Sequence, residues 1–180
     1  RAARGEGVIL VGRSPAGQHL PGFDWAHLQE DGCVVKTVDD RTLLLAGATP
    51  RGTLYAVYEF LDRALGCRWL TPACSILPTQ KTILVDDIDI VHVPIFRYRE
   101  PYFACAENAD WAARNRVNGQ SYPLTARHGG KWLYAGGGFA HTFYPLVPPE
   151  QYFDTHPEFY SELNGRRTHV DAQLCLTNDK

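Results

Sequence analysis

The sequence predicts an α/β fold in two parts: a small N-terminal α/β domain over residues 1–92 and, over residues 93–180, the first part of an incomplete (β/α)8 barrel. Three observations carry this expectation. The stretch from Gly47 to Pro72, GATPRGTLYAVYEFLDRALGCRWLTP, contains a helix and a following strand whose start and stop signals are local. Cys33–Val38 and Arg41–Ala46 flank Asp39-Asp40 as two strands flank a hairpin turn. Beyond Pro94 the pattern becomes strand, helix, strand, which is the βαβ repeat of a parallel barrel.

In chain order, Val8-Ile9-Leu10-Val11 reads as a buried strand closed by Gly12. The GRSPAG that follows has neither the GxGxxG spacing nor an immediate helix, so a dinucleotide site is discounted. Ser14 to Gly22 is loop, Phe23 to Glu30 holds a short helical turn, and the hairpin then feeds the helix. Thr49 suits the N-cap and Pro50 the first turn, where its missing N–H is no loss. Leu54, Val57, Tyr58, Leu61 and Leu65 recur at the spacing of one buried face, and Gly66 falls where a left-handed cap is wanted. Cys67 to Leu70 is the strand laid down after it. Thr82 to Val93 is extended by its β-branched content, and its acids Asp86, Asp87 and Asp89 lack the glycine turn and distal glutamate of a calcium loop. They read as a solvated strand edge, and no metal is expected.

Past Pro94, Ile95–Glu100 alternates apolar and polar residues as a short strand would, Ala109–Arg116 is a short helix, and Val117-Asn118-Gly119 begins the next strand. A loop from Thr125 to Gly138 carries a triple glycine without the GK[ST] of a phosphate loop. Val147–Phe153 opens a helical turn, His156 caps another that starts at Pro157, Asn164-Gly165 is a tight turn, and Ala172–Leu176 is a last strand. The 87 residues from Pro94 to Lys180 give near three of eight βα units at about 30 residues each, against roughly 250 residues for a whole barrel. The barrel cannot close within this chain.

The 180 residues are 44% hydrophobic and 21% charged, with a formal net charge of −2. That balance leaves no electrostatic footprint for nucleic acid, and no apolar run approaches the roughly 20 residues of a membrane helix. Five cysteines at irregular spacing contain no CxxC pattern and read as free buried thiols, with one Cys67–Cys74 or Cys33–Cys74 bridge left open. With no methionine at all, an opening RAARGEG and a closing CLTNDK, the sequence is expected to be a piece of a longer protein.

The wording ATPRGTLYAVYEFLDRALGCRWLTP resembles the small domain that precedes the catalytic barrel in family-20 β-N-acetylhexosaminidases, in family-67 α-glucuronidases, and in the bacterial family catalogued as domain of unknown function 4838. RYREPYF (Arg97 to Phe103), WAARNRVNG (Trp111 to Gly119), VPPEQYFDTHPEFYSELNGRR (Val147 to Arg167) and QLCLTN resemble the opening of the barrel in the last of these. The resemblance implies that residues 1–92 are an accessory domain. It also implies that Arg99 matches the arginine that grips sugar hydroxyls at the end of the first family-20 barrel strand, with Glu100 standing where those enzymes have glycine. Val117-Asn118-Gly119 resembles the close of the second family-67 strand, so Asn118 is expected to face the barrel mouth.

Physical chemistry agrees that the C-terminal ends of barrel strands line an active site, and that arginine and amide groups suit vicinal hydroxyls. His141, flanked by Phe139, Phe143 and Tyr144, could hydrogen-bond a sugar beside stacking aromatics. The expected substrate contacts are therefore Arg99, Glu100, Asn118 and His141. The catalytic carboxylates of the resembled hydrolases come from later strands, past Lys180, so this chain alone is expected to be inactive. The expected protein is a glycoside hydrolase of glycan or glycoside substrates, without cofactor, secreted, periplasmic or on the cell surface, its partner the remainder of the barrel. The rival is a non-catalytic glycan-binding or structural module on the same fold.

Overall fold

A computed structural model describes residues 7–13, 19–135 and 138–178. Ser14 to Gln18 of the expected first loop, and Gly136 and Gly137 of the triple glycine, lie outside them. The chain divides into two compact units, Arg1–Leu133 and Tyr134–Lys180, each of mixed secondary structure.

The strands of the first unit are β1 (Val8–Val11), β2 (Cys33–Asp39), β3 (Thr42–Gly47), β4 (Arg68–Thr71), β5 (Cys74–Ile76) and β6 (Asp89–His92). Helix α1 (Pro50–Glu59) lies between β3 and β4, and helix α2 (Ala109–Arg114) follows β6. β1, β3, β2 and β6 form one sheet in that order, with β1 parallel to β3 and the other pairs antiparallel. The hairpin forms as its turn residues predict, with Val35 opposite Leu45 and an irregularity between Thr37 and Asp39 that moves the turn to Asp40-Arg41.

Its two strands are apolar on both faces because both faces are covered. Cys33, Val35, Leu43 and Leu45 meet Ala56 and Phe60, while Val34, Leu44 and Ala46 meet Phe23 and Trp25. Each fully buried valine or leucine contributes about 1.5–3 kcal/mol. β1 departs from the buried strand expected of it. It occupies a sheet edge, and Val8, Ile9 and Val11 are each about half exposed.

Helix α1 starts as predicted: Thr49 is extended and its side chain accepts from the Gly52 N–H at 3.1 Å, with Pro50 in the first turn. Gly66 (φ +73°) ends the helical stretch after a π-turn over Phe60–Ala64, its N–H bonded to the Asp62 carbonyl at 3.1 Å. The buried face differs from the expected one. Gly52, Tyr55, Ala56, Glu59 and Phe60 are buried, whereas Leu54, Val57, Tyr58, Leu61 and Leu65 are only partly so. The reason is a second neighbour: Ala56 and Phe60 meet the sheet, but Tyr55 and Glu59 lie under the segment from Arg97 to Asn118, which no helical periodicity encodes.

Helix α2 carries Asn108 as its cap and buries Trp111, Ala112 and Ala113 together. The indole of Trp111 donates to the Trp69 carbonyl at 3.0 Å, joining α2 to β4. Ile95–Glu100 and Val117–Gly119, expected as strands, form no ladder; neither do residues 82–88 of the extended stretch expected over Thr82–Val93, of which only β6 pairs. β4 pairs with β5 with Arg68 opposite Ile76. That register sets Cys67 some three residues along from Cys74, about 10 Å at strand rise, and the five cysteines are free.

The second unit holds helices α3 (Phe143–Leu146) and α4 (Pro149–Tyr152) and a hairpin of β7 (Glu162–Leu163) and β8 (Arg166–Arg167). Asn164 and Gly165 both have positive φ, as the predicted tight turn needs. Tyr160 is fully buried at its centre, with Tyr144 and Phe153 against it. Only the single bridge from Tyr160 to Leu174 represents the last strand. His156 makes no capping bond; it stacks on Phe159 at 4.8 Å instead. Among the described residues no helix is long and apolar enough to cross a membrane.

Candidate functional site

Arg99, Glu100 and Asn118 come together in the first unit, while His141 is an exposed residue of the second with φ +54°. Asn118 is the organiser of its corner. Its backbone N–H donates to the Arg99 carbonyl at 3.2 Å and its carbonyl accepts from the Trp132 N–H at 2.8 Å. Three successive segments thus lie side by side through one residue. Its side chain is fully buried: Oδ1 accepts from the Arg99 N–H at 2.8 Å, and Nδ2 donates to the Arg97 carbonyl and to Asp31 Oδ2, both at 2.7 Å.

Asp31, which no periodicity singled out, is the anionic centre beneath. Its side chain is 6% exposed and takes Arg51 on Oδ1 at 2.6 Å and Arg99 on Oδ2 at 2.5 Å. Arg99 also donates from Nε to the Arg116 carbonyl at 2.7 Å and from Nη1 to the Phe96 carbonyl at 2.6 Å. Every nitrogen of that guanidinium therefore has a partner, and its planar fork suits such a convergence. Its carbon lies 5.7 Å from the Tyr55 ring centre. Burial, with Asp31 adding to it, raises the Tyr55 phenol to about 12. Two guanidinium carbons lie near the Trp132 ring centre, that of Arg97 at 4.7 Å and that of Arg51 at 6.0 Å. A crevice of about 10 Å³ bordered by Glu30, Asp31, Arg97, Arg99 and Trp132 has room for about one water.

Glu100 lies beside this network without joining it. Its Oε1 accepts from the Ser121 N–H at 2.9 Å, and its Oε2 is buried with no hydrogen-bond partner. The side chain lies flat on Gly119, where a Cβ would stand 2.7 Å from Glu100 Cβ. Only glycine permits that contact.

A second ionic cluster continues under α1. Glu59 Oε2 lies 2.7 Å from Arg63 Nε and Oε1 lies 2.9 Å from Arg116 Nη2, charge contacts without hydrogen-bond alignment. Arg116 also reaches Asp62 at 3.2 Å. Burial lowers the His92 pKa, opposed by the Glu59 carboxylate. Burial also pushes the Cys33 thiol up to about 12, which leaves it an inert core group. Among the described residues no group of three or more His, Cys, Asp or Glu side chains is placed to hold a metal ion.

The resemblance singled out Arg99, Glu100 and Asn118, whereas Asp31, Arg51, Tyr55 and Trp132, which the structure sets beside them, were not singled out from the sequence. Asp31 and Trp132 stand in irregular segments and Arg51 in a helix's first turn, and only long-range folding brings the four together.

A family model described as a domain of unknown function (DUF4838) matches residues 69–180. No curated protein and no solved structure matches the chain. These comparisons do not reach the family-20 and family-67 enzymes.

Proposed function

The chain belongs to the DUF4838 family, and from that premise we propose that it is part of a glycoside-hydrolase-like protein acting on glycans or glycosides. In this reading residues 1–92 are the accessory α/β domain, residues 93–180 open a (β/α)8 barrel, and the catalytic acids come from strands beyond Lys180. Arg99, Glu100 and Asn118, all in the first unit, serve the sugar site. The protein works outside the cytoplasm, secreted, periplasmic or on the cell surface.

The observation that carries this reading is the Asn118 backbone, which bonds Arg99 on one side and Trp132 on the other. These isolated bonds join three chain-successive segments, with α2 between the first two, in the order that the first three strands of a parallel barrel would have. The exposure of Ile95 (93%) and Phe96 (72%) supports it, since the remaining barrel elements would cover such side chains.

A non-catalytic glycan-binding or structural module is the second reading, and one observation favours it. The two buried carboxylates among the described residues, Asp31 and Glu59, are both tied to arginines. Assays of the full-length protein against aryl glycosides and uronides separate the readings. Turnover that is lost when carboxylates at the ends of strands four to seven are mutated supports the hydrolase. Binding without cleavage supports the module, and no affinity for any sugar overturns a sugar site of either kind.

A further inference from the structure

Arg99 and Asn118 occupy the expected strand ends, but their polar atoms are engaged inside the protein. Arg99 has a partner on Nε, Nη1 and Nη2, and Asn118 has one on Oδ1 and two on Nδ2. Turning either toward a ligand would strip Asp31, a buried carboxylate, of a donor. Arg99 and Asp31 nonetheless border the small crevice beside Trp132, and the other two charged residues on its border, Arg97 and Glu30, face solvent.

Arg97 and Glu30 combine a fixed backbone with a loosely held side chain. The Arg97 carbonyl accepts from Asn118 Nδ2 at 2.7 Å, and the Glu30 carbonyl accepts from the Thr49 hydroxyl at 2.5 Å. Their side chains are 67% and 47% exposed, and Arg97 Nη2 stands 3.5 Å from Glu30 Oε2, the outer limit of a hydrogen bond. A surface pair this loose contributes little to stability. The guanidinium is kept at the crevice by the Trp132 ring, whose centre lies 4.7 Å from its carbon. A guanidinium offers only donors and an ionised carboxylate only acceptors. Side by side on a solvent-facing border, the two match adjacent hydroxyls of a sugar ring. The crevice itself, with room for about one water, admits a single hydroxyl and no ring.

Resting on the glycan reading above, we infer that Arg97 and Glu30 contact adjacent hydroxyls of a sugar ring lying at the mouth of this crevice, above the network of Asp31, Arg99 and Asn118. One hydroxyl takes the place of a water in the crevice, accepting from Arg97, and its neighbour donates to Glu30. The opposed charges leave the pair neutral, so the ligand class is an uncharged vicinal diol.

The test is calorimetric titration of the full-length protein with aryl glucosides, galactosides and N-acetylglucosaminides. For the tightest-bound of these, Arg97→Ala and Glu30→Gln should each weaken binding by about 10-fold or more, with unchanged melting temperatures. Arg127→Ala, which removes another exposed arginine paired with a carboxylate, should bind like wild type. Wild-type affinity in a folded R97A or E30Q overturns the inference and leaves the glycan reading standing. Equal weakening by R127A also overturns it, since that reports a general charge effect. If one of the two site variants fails to fold, the other decides alone. No binding of any sugar by wild type instead overturns the glycan reading itself.

Discussion

Asp31 holds two arginines and an asparagine in a site from which water is nearly excluded. Removing one partner from such a cluster leaves buried charge uncompensated, so Asp31→Ala should lose about 3–5 kcal/mol of stability. Arg97, 67% exposed and 3.5 Å from Glu30, is the control: Arg97→Ala should change stability by less than about 1 kcal/mol. Denaturant midpoints of the two variants check both, and equal effects would remove Asp31 from the centre of the account. His92 adds a pH dependence. Burial lowers its folded pKa, so between that value and the unfolded value near 6.5 the unfolded chain binds more protons. The contribution is full above about pH 6.5 and lost as pH falls below it. The denaturant midpoint should drop from pH 7.5 to 5.5, and His92→Gln should flatten that drop.

Helix α1 shows what local chemistry can and cannot specify. Its cap, its proline and its closing Gly66 were all legible, because each acts on the backbone within a turn. Thr49→Ala should therefore cost about 1 kcal/mol by thermal or denaturant melting. Its buried face was legible only in part. Tyr55 and Glu59 are buried by Val117 and Arg116, some 60 residues on, and a periodicity argument assumes a single partner. Gly52 makes the same point. Helix propensity says alanine there should stabilise by about 1 kcal/mol, but its Cβ would stand 2.5 Å from the Gly32 carbonyl oxygen. Gly52→Ala should destabilise more than Thr49→Ala, and a stabilised G52A would contradict the close helix–loop packing.

At the scale of the whole chain, the mixed α/β character followed from the hairpin, the helix and their turns, and the family from long ordered strings of residues. The strand status of 95–100 and 117–119 did not follow, since these segments make isolated backbone bonds around Asn118 in place of a ladder. Of the candidate site, Arg99, Glu100 and Asn118 were singled out by the resemblance, but that Arg99 and Asn118 turn inward to Asp31 was not readable. Asp31 is 68 positions from Arg99 and 87 from Asn118. The most direct measurement is hydrolysis and binding of matched neutral and acidic aryl glycosides by the full-length protein. The account predicts turnover of at least one of them. A protein that neither binds nor cleaves any of them contradicts it.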